Sequence, residues 1–150
     1  MKKSILIVIL LIYGCGFKVV NQSDITNYHI AEIRTKGDKK INFDLKNKLN
    51  LKSGKIDKER IILTIETSKD KRVKEKNNNN EITKYILSVS LIMQIEDQSQ
   101  NIKSINMQEE QDFNVSSLYS NTIKNEKEAI KQLTQKLFQG IVKEISSINK

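Results

Sequence analysis

The chain has no proline, no tryptophan, one histidine, one cysteine and five glycines among its 150 residues. A lone cysteine cannot close a disulfide within the chain, so the fold must rest on its core. One histidine and one cysteine provide no soft-ligand set for zinc and no histidine base beside a nucleophile. Five scattered glycines make no phosphate-cradling loop, which argues against nucleotide hydrolysis. Glu96 beside Asp97, and Glu109 beside Glu110, are neighbours without other catalytic groups, and such pairs define no site. The chain therefore reads as a non-enzyme that needs no cofactor and no metal, with His29 structural.

What is present begins at the first residue. Lys2 and Lys3 precede an unbroken apolar run over residues 5–13, followed by Gly14 and Cys15. A basic head, a short greasy middle and a small residue before a cut site make a secretory signal peptide. The run is too short to cross a bilayer, which takes about 20 apolar residues as helix. Ile12, Tyr13, Gly14 and Cys15 resemble the bacterial lipoprotein signal, which is cut between Gly14 and Cys15 after the thiol has received a diacylglycerol. The freed α-amine then takes a further chain, and two or more chains anchor stably where one does so only marginally. The alternative is an ordinary cysteine closing a signal peptide or a short anchor. Gly16 is not the aspartate that retains enteric lipoproteins at the inner membrane, so delivery to the periplasmic side of the outer membrane is expected. The organisation that follows is a leader over residues 1–14, a lipidated tether over 15–27 and a single domain over 28–150.

Removing a leader with Lys2 and Lys3 takes the formal charge from +8 to +6, so the exported part stays basic. An exported basic protein meets lipid phosphates and polyanionic glycolipid rather than nucleic acid. Apolar residues are 37% of the chain and the leader holds many of them. The remaining core is thin for its length, and a bound partner would stabilise it.

Along the domain, residues 28–34 alternate as a short strand, with Tyr28, Ile30 and Glu32 on one side and His29, Ala31 and Ile33 on the other. Gly37 and Asp38 mark a turn, after which Asn42 can cap a helix carrying Phe43, Leu45 and Leu49 and ending near Gly54. Residues 60–67 alternate as a second strand. The clearest strand has Tyr85, Leu87, Val89, Leu91, Met93 and Ile95 on one face, with Ser88, Ser90, Gln94 and Glu96 on the other. Residues 68–80, which contain Arg72, Lys74 and Lys76 before four asparagines, read as a basic, flexible hairpin tip. Such a tip is either a solvated loop or a phosphate contact. Residues 102–115 suggest a fourth strand. Beyond them Ile130, Leu133, Leu137, Ile141, Ile145 and Ile148, widened by Phe138 and Val142, form a helical stripe, and Gly140 within it permits close approach to the sheet. The fold class expected is α+β, two helices on one face of a four-stranded, mainly antiparallel sheet in the order β-α-β-β-β-α.

Cys15-Gly16-Phe17, the short strand, the helix ending in Lys48-Leu49-Asn50, the strand from Tyr85 and the helical stretch 126–145 together resemble the LPS-assembly lipoprotein family, LptE. The resemblance implies a two-helix, four-stranded fold seated inside the outer-membrane β-barrel LptD, which it helps to assemble. It also implies contact with lipopolysaccharide and no catalysis. In that family a basic residue near the turn between the second and third strands touches lipopolysaccharide, which here points to the cluster Arg72, Lys74 and Lys76; the asparagine tip departs from the family pattern. The competing expectation is a structural lipoprotein of another outer-membrane assembly or lipid-transport machine.

Overall fold

The computed structural model describes Ile25 and residues 27–148. The leader, the cleavage pair Gly14 and Cys15, and the tether apart from Ile25 and Asn27 lie outside the described residues. The elements are β1 (Tyr28–Gly37), α1 (Lys39–Lys52), β2 (Glu59–Lys76), β3 (Ile82–Glu96), β4 (Ile102–Asn114) and α2 (Tyr119–Ser146). The sheet runs β1-β2-β3-β4. β1 pairs parallel to β2, while β2–β3 and β3–β4 are antiparallel. The class expected from the sequence is thus the one observed. A parallel β1–β2 pair requires a crossover, and α1 is that crossover.

Period-two patterning decides which sheet face is covered. Leu63, Ile65, Leu87, Val89, Leu91 and Met93 are fully buried beneath α1 (Ile41, Leu45, Leu49) and α2 (Leu133, Leu137, Ile141, Ile145). Each such side chain contributes about 1.5–3 kcal/mol by leaving water. The predicted α2 stripe forms the helical half of this core. Gly140 brings the helix close to β4, since a Cβ there would lie 2.8 Å from Met107 Sδ.

The edge of the sheet departs from the simple alternation. Ile30 pairs with Ile61 but Glu32 with Ile62, so Ala31 is an extra residue. This β-bulge turns the strand over. Ile33 therefore joins Tyr28 and Ile30 in the core instead of pointing the other way.

α1 also starts earlier than expected. Its N-cap is Asp38, whose carboxylate accepts from the backbone N–H groups of Lys40 (3.1 Å) and Ile41 (3.0 Å). With the helix shifted towards the N-terminus, Ile41, Leu45 and Leu49 make the buried i, i+4 row, and Phe43 is 64% exposed. Asn42 is no cap. It is buried in the first turn, where its Nδ2 donates to the Lys36 carbonyl (3.0 Å) and its Oδ1 accepts from Thr67 Oγ1 (2.9 Å). Gly37 precedes this junction at φ +101°, and a Cβ there would meet the Thr67 carbonyl oxygen at 1.8 Å. Only glycine permits both.

His29 is held by the α1 exit, its ring Nδ1 lying 3.2 Å from the Gly54 carbonyl oxygen as donor. Nearby, Ser53 Oγ accepts from the Ile30 N–H at 2.8 Å.

Candidate interaction surface

The residues proposed from sequence to meet phosphate are not on a flexible loop. β2 runs through to Lys76, so Arg72, Lys74 and Lys76 belong to a strand paired with β3. Only residues 77–81 form the tip. There Asn77 replaces backbone partners, its Oδ1 accepting from the N–H groups of Asn79 (3.0 Å) and Glu81 (2.9 Å), while Asn80 takes φ +63°. Asparagine suits both roles, so the asparagine run is an ordered turn. The other hairpin repeats the device: Asp97 Oδ1 accepts from the N–H groups of Ser99 and Asn101, and Gln100 takes φ +60°.

The sheet face away from the helices carries the hairpin charges, and its register matches them. Asp70, Ser88 and Glu110 lie in one row across β2, β3 and β4, and Arg72, Ile86 and Asp112 in the next. Arg72 reaches Glu110 Oε1 (3.1 Å), Ser88 Oγ (3.3 Å) and Asp70 Oδ2 (3.2 Å). Ser88 Oγ in turn donates to Glu110 at 2.6 Å. The Ser88 hydroxyl is the main reason that the Glu110 carboxyl is held below its ordinary pKa, with Arg72 and Lys74 assisting against partial desolvation.

Lys74 sits where the β2–β3 register slips between Val73 and Glu75, and its ammonium crosses to Asp112 Oδ2 at 3.0 Å. That hydrogen bond is the largest cause lowering the Asp112 pKa. Lys76 donates to Asn80 Oδ1 at 3.0 Å and closes the tip. Lys84 is matched by Glu75 at 2.9 Å, which raises the lysine pKa. Nearer the other end, Glu32 holds Arg34 through two contacts of 3.0 and 2.8 Å, and Lys36 meets Glu66 at 3.2 Å.

The outer face is therefore a polar plane whose charges largely cancel within it. Thr64, Gln94 and Ser104 align across three strands, as do Ser68, Ser90 and Gln108. The exposed hydrophobics on this face, Ile92 and Ile102, are separated in register. Sequence reading found the cations but did not pair them with Glu110 and Asp112. Their signal was the shared register of β4 with β2, which only the strand pairing reveals.

On the helix side of the same hairpin, Lys71 meets Glu126 of α2 at 3.0 Å and lies 5.1 Å from the Tyr85 ring centroid. Tyr85 stacks on Phe113 at 5.6 Å. These contacts hold the overhanging hairpin against α2. Among the described residues, no three His, Cys, Asp or Glu side chains come together to hold a metal, and no helix is long and apolar enough to cross a membrane.

Solved structures with this arrangement include a minor lipoprotein from Acinetobacter baumannii, at 17% identity and TM-score 0.56, over 77% of this chain and 90% of that one. The likeness is one of fold. An uncharacterized lipoprotein B from Nitrosomonas europaea shares it at 15% identity and TM-score 0.56, over 90% of this chain and 93% of that one. The rare lipoprotein B from Shewanella oneidensis does so at 10% identity and TM-score 0.50, over 76% and 89%. No protein-family profile and no curated protein matches the sequence.

Proposed function

We propose that this chain is a non-catalytic outer-membrane lipoprotein, anchored through acyl chains on Cys15, that seats in an LptD-like β-barrel, assists its assembly and helps deliver lipopolysaccharide to the outer leaflet. The observation that carries the proposal is the self-neutralising outer face of the sheet. A wide barrel has a polar, water-lined interior. A domain enters it with the least desolvation cost when its own cations and carboxylates are already matched, as Arg72 with Glu110 and Lys74 with Asp112 are. Two further observations support it: the lipoprotein-type signal ending at Gly14 and Cys15, and the fold shared with proteins that are themselves named lipoproteins. At the hairpin, lipopolysaccharide phosphates would exchange for the carboxylates that now hold Arg72 and Lys74 and for the Asn80 amide oxygen that holds Lys76, each through a charge-assisted hydrogen bond.

Affinity capture of the tagged chain from native membranes tests the reading. A large outer-membrane barrel should copurify, and a chain that is extracted alone would refute it. Depletion should reduce surface lipopolysaccharide while other barrels persist; general loss of barrels would instead assign the chain to another assembly machine. At the hairpin, Arg72→Gln, Lys74→Gln and Lys76→Gln combined should weaken lipopolysaccharide binding several-fold at low salt with an unchanged circular-dichroism spectrum. Unchanged affinity would make the hairpin charges purely structural.

A further inference from the structure

The cations of the outer face have carboxylate partners within the chain, whereas those between the two helices largely do not. α1 and α2 run side by side in register, Lys48 Nζ donating to Gln135 Oε1 at 2.6 Å and lying 5.6 Å from the Phe138 ring centroid. One to two turns towards the N-termini, the helices part around a cleft of about 290 Å³. Four lysines border it, Lys40 from α1 and Lys124, Lys127 and Lys131 from α2, with Asp44, Glu128 and the apolar Ile130. The α2 lysines fall at i, i+3 and i+7, so they share one helix face.

Within this cleft only Lys131 and Glu128 approach an ion pair, at 3.9 Å. The side-chain ammonium groups of Lys40, Lys124 and Lys127 have no ion-pair or hydrogen-bond partner among the described residues. Like charges gathered around one space repel, weakly in water and more strongly where solvent is excluded. An anion in the cleft removes that repulsion and gives each ammonium an acceptor.

We infer that the cleft between α1 and α2 is a phosphate-binding site in which Lys40, Lys124, Lys127 and Lys131 hold a phosphomonoester or a diphosphate. A phosphate offers oxygens in several directions, which suits flexible lysines contributed by two helices. Asp44 and Glu128 lower the net positive charge and so disfavour nucleic-acid-like polyanions relative to a compact group. The site lies on the helix side of the sheet, opposite the Arg72 network, so the two can be changed separately. The same chemistry is offered by the phosphorylated headgroup of a glycolipid and by free diphosphate. Choosing the glycolipid as the source rests on the function proposed above, whereas the phosphate site does not.

Titration calorimetry of the full chain in neutral detergent at low ionic strength, with pyrophosphate as the probe, tests the site. The wild type should bind. Lys40→Gln with Lys127→Gln should weaken binding about tenfold or more. Lys55→Gln with Lys58→Gln, which removes the same charge from the loop after α1, should change it by less than about twofold. Glu128→Gln should tighten it about two- to threefold, a gain that no loss of folding can imitate. Absence of binding by the wild type, or equal weakening in the two double variants, overturns the site. A parallel titration with lipopolysaccharide micelles identifies the source. Weakening by the cleft variant supports the glycolipid headgroup as the ligand. If pyrophosphate behaves as expected while lipopolysaccharide binding is unaffected, the phosphate site stands and its assignment to the glycolipid is overturned.

Discussion

The two faces of the sheet are built from adjacent residues yet follow different rules. Leu91 is fully buried beneath the helices, and Ile92, the next residue, is 47% exposed on the other side. The inner face is apolar and covered, so its energy comes from area removed from water. The outer face is polar and open, and its order comes from charge register. An exposed ion pair is worth only about 0–1 kcal/mol, so the pairs on the outer face contribute little to stability. What they set is the character of the surface: nearly neutral and hydrogen-bonding.

The most direct way to break this comparison is to truncate across the boundary. Leu91→Ala should cost about 2–5 kcal/mol in urea unfolding, whereas Ile92→Ala should cost well under about 1 kcal/mol. Equal costs would mean that the outer face is packed as tightly as the inner one.

A middle-sized effect is expected where the faces meet at the start of α1. Burial pushes the Asp38 carboxyl pKa up, but the Ile41 N–H, the Lys69 ammonium at 3.0 Å and the Lys40 N–H together bring it below its ordinary value. A carboxyl lowered in the folded state stabilises fully above its unfolded pKa, about 3.9, and the contribution is lost as pH falls through the lower folded value. Asp38→Ala should therefore cost about 1 kcal/mol at neutral pH and should flatten the acid limb of the stability curve. An unchanged acid limb would remove Asp38 from that role.

The smallest effect sharpens the contrast. Lys74→Gln should change stability by less than about 1 kcal/mol while raising the Asp112 pKa, since the Lys74 hydrogen bond is the largest cause of its lowering. Carboxyl titration followed by NMR reads the shift directly. A large loss of stability would show that these pairs carry the fold.

The patterns legible in the sequence were those with contrast between apolar and polar residues. The odd-numbered row from Leu87 to Ile95 and the α2 stripe each placed the core correctly because one face had to be apolar. Residues 68–73 alternate in the same way, Lys69 and Lys71 turning towards the helix side while Arg72 reaches the outer face, before the register slips at Val73; both sides are charged, so no period shows. That stretch consequently looked like a loop. The bulge at Ala31 was hidden for a related reason, since an extra residue is defined only against a partner strand. The start of α1 was misplaced because Gly37 and Asp38 read as a complete turn, whereas Asp38 serves both turn and helix. For the interaction surface, the sequence supplied Arg72, Lys74 and Lys76 but not the carboxylates that answer them.

The length of β2 has a geometric consequence. Tyr28, the first residue of β1, is paired beside Glu59 at the first residue of that strand, and Lys76 closes its far end. At about 3.3 Å per residue the strand is roughly 55 Å long. The asparagine turn therefore stands about that far from the sheet edge at Tyr28, so labels placed at these two points would report on surroundings tens of ångströms apart within one small domain.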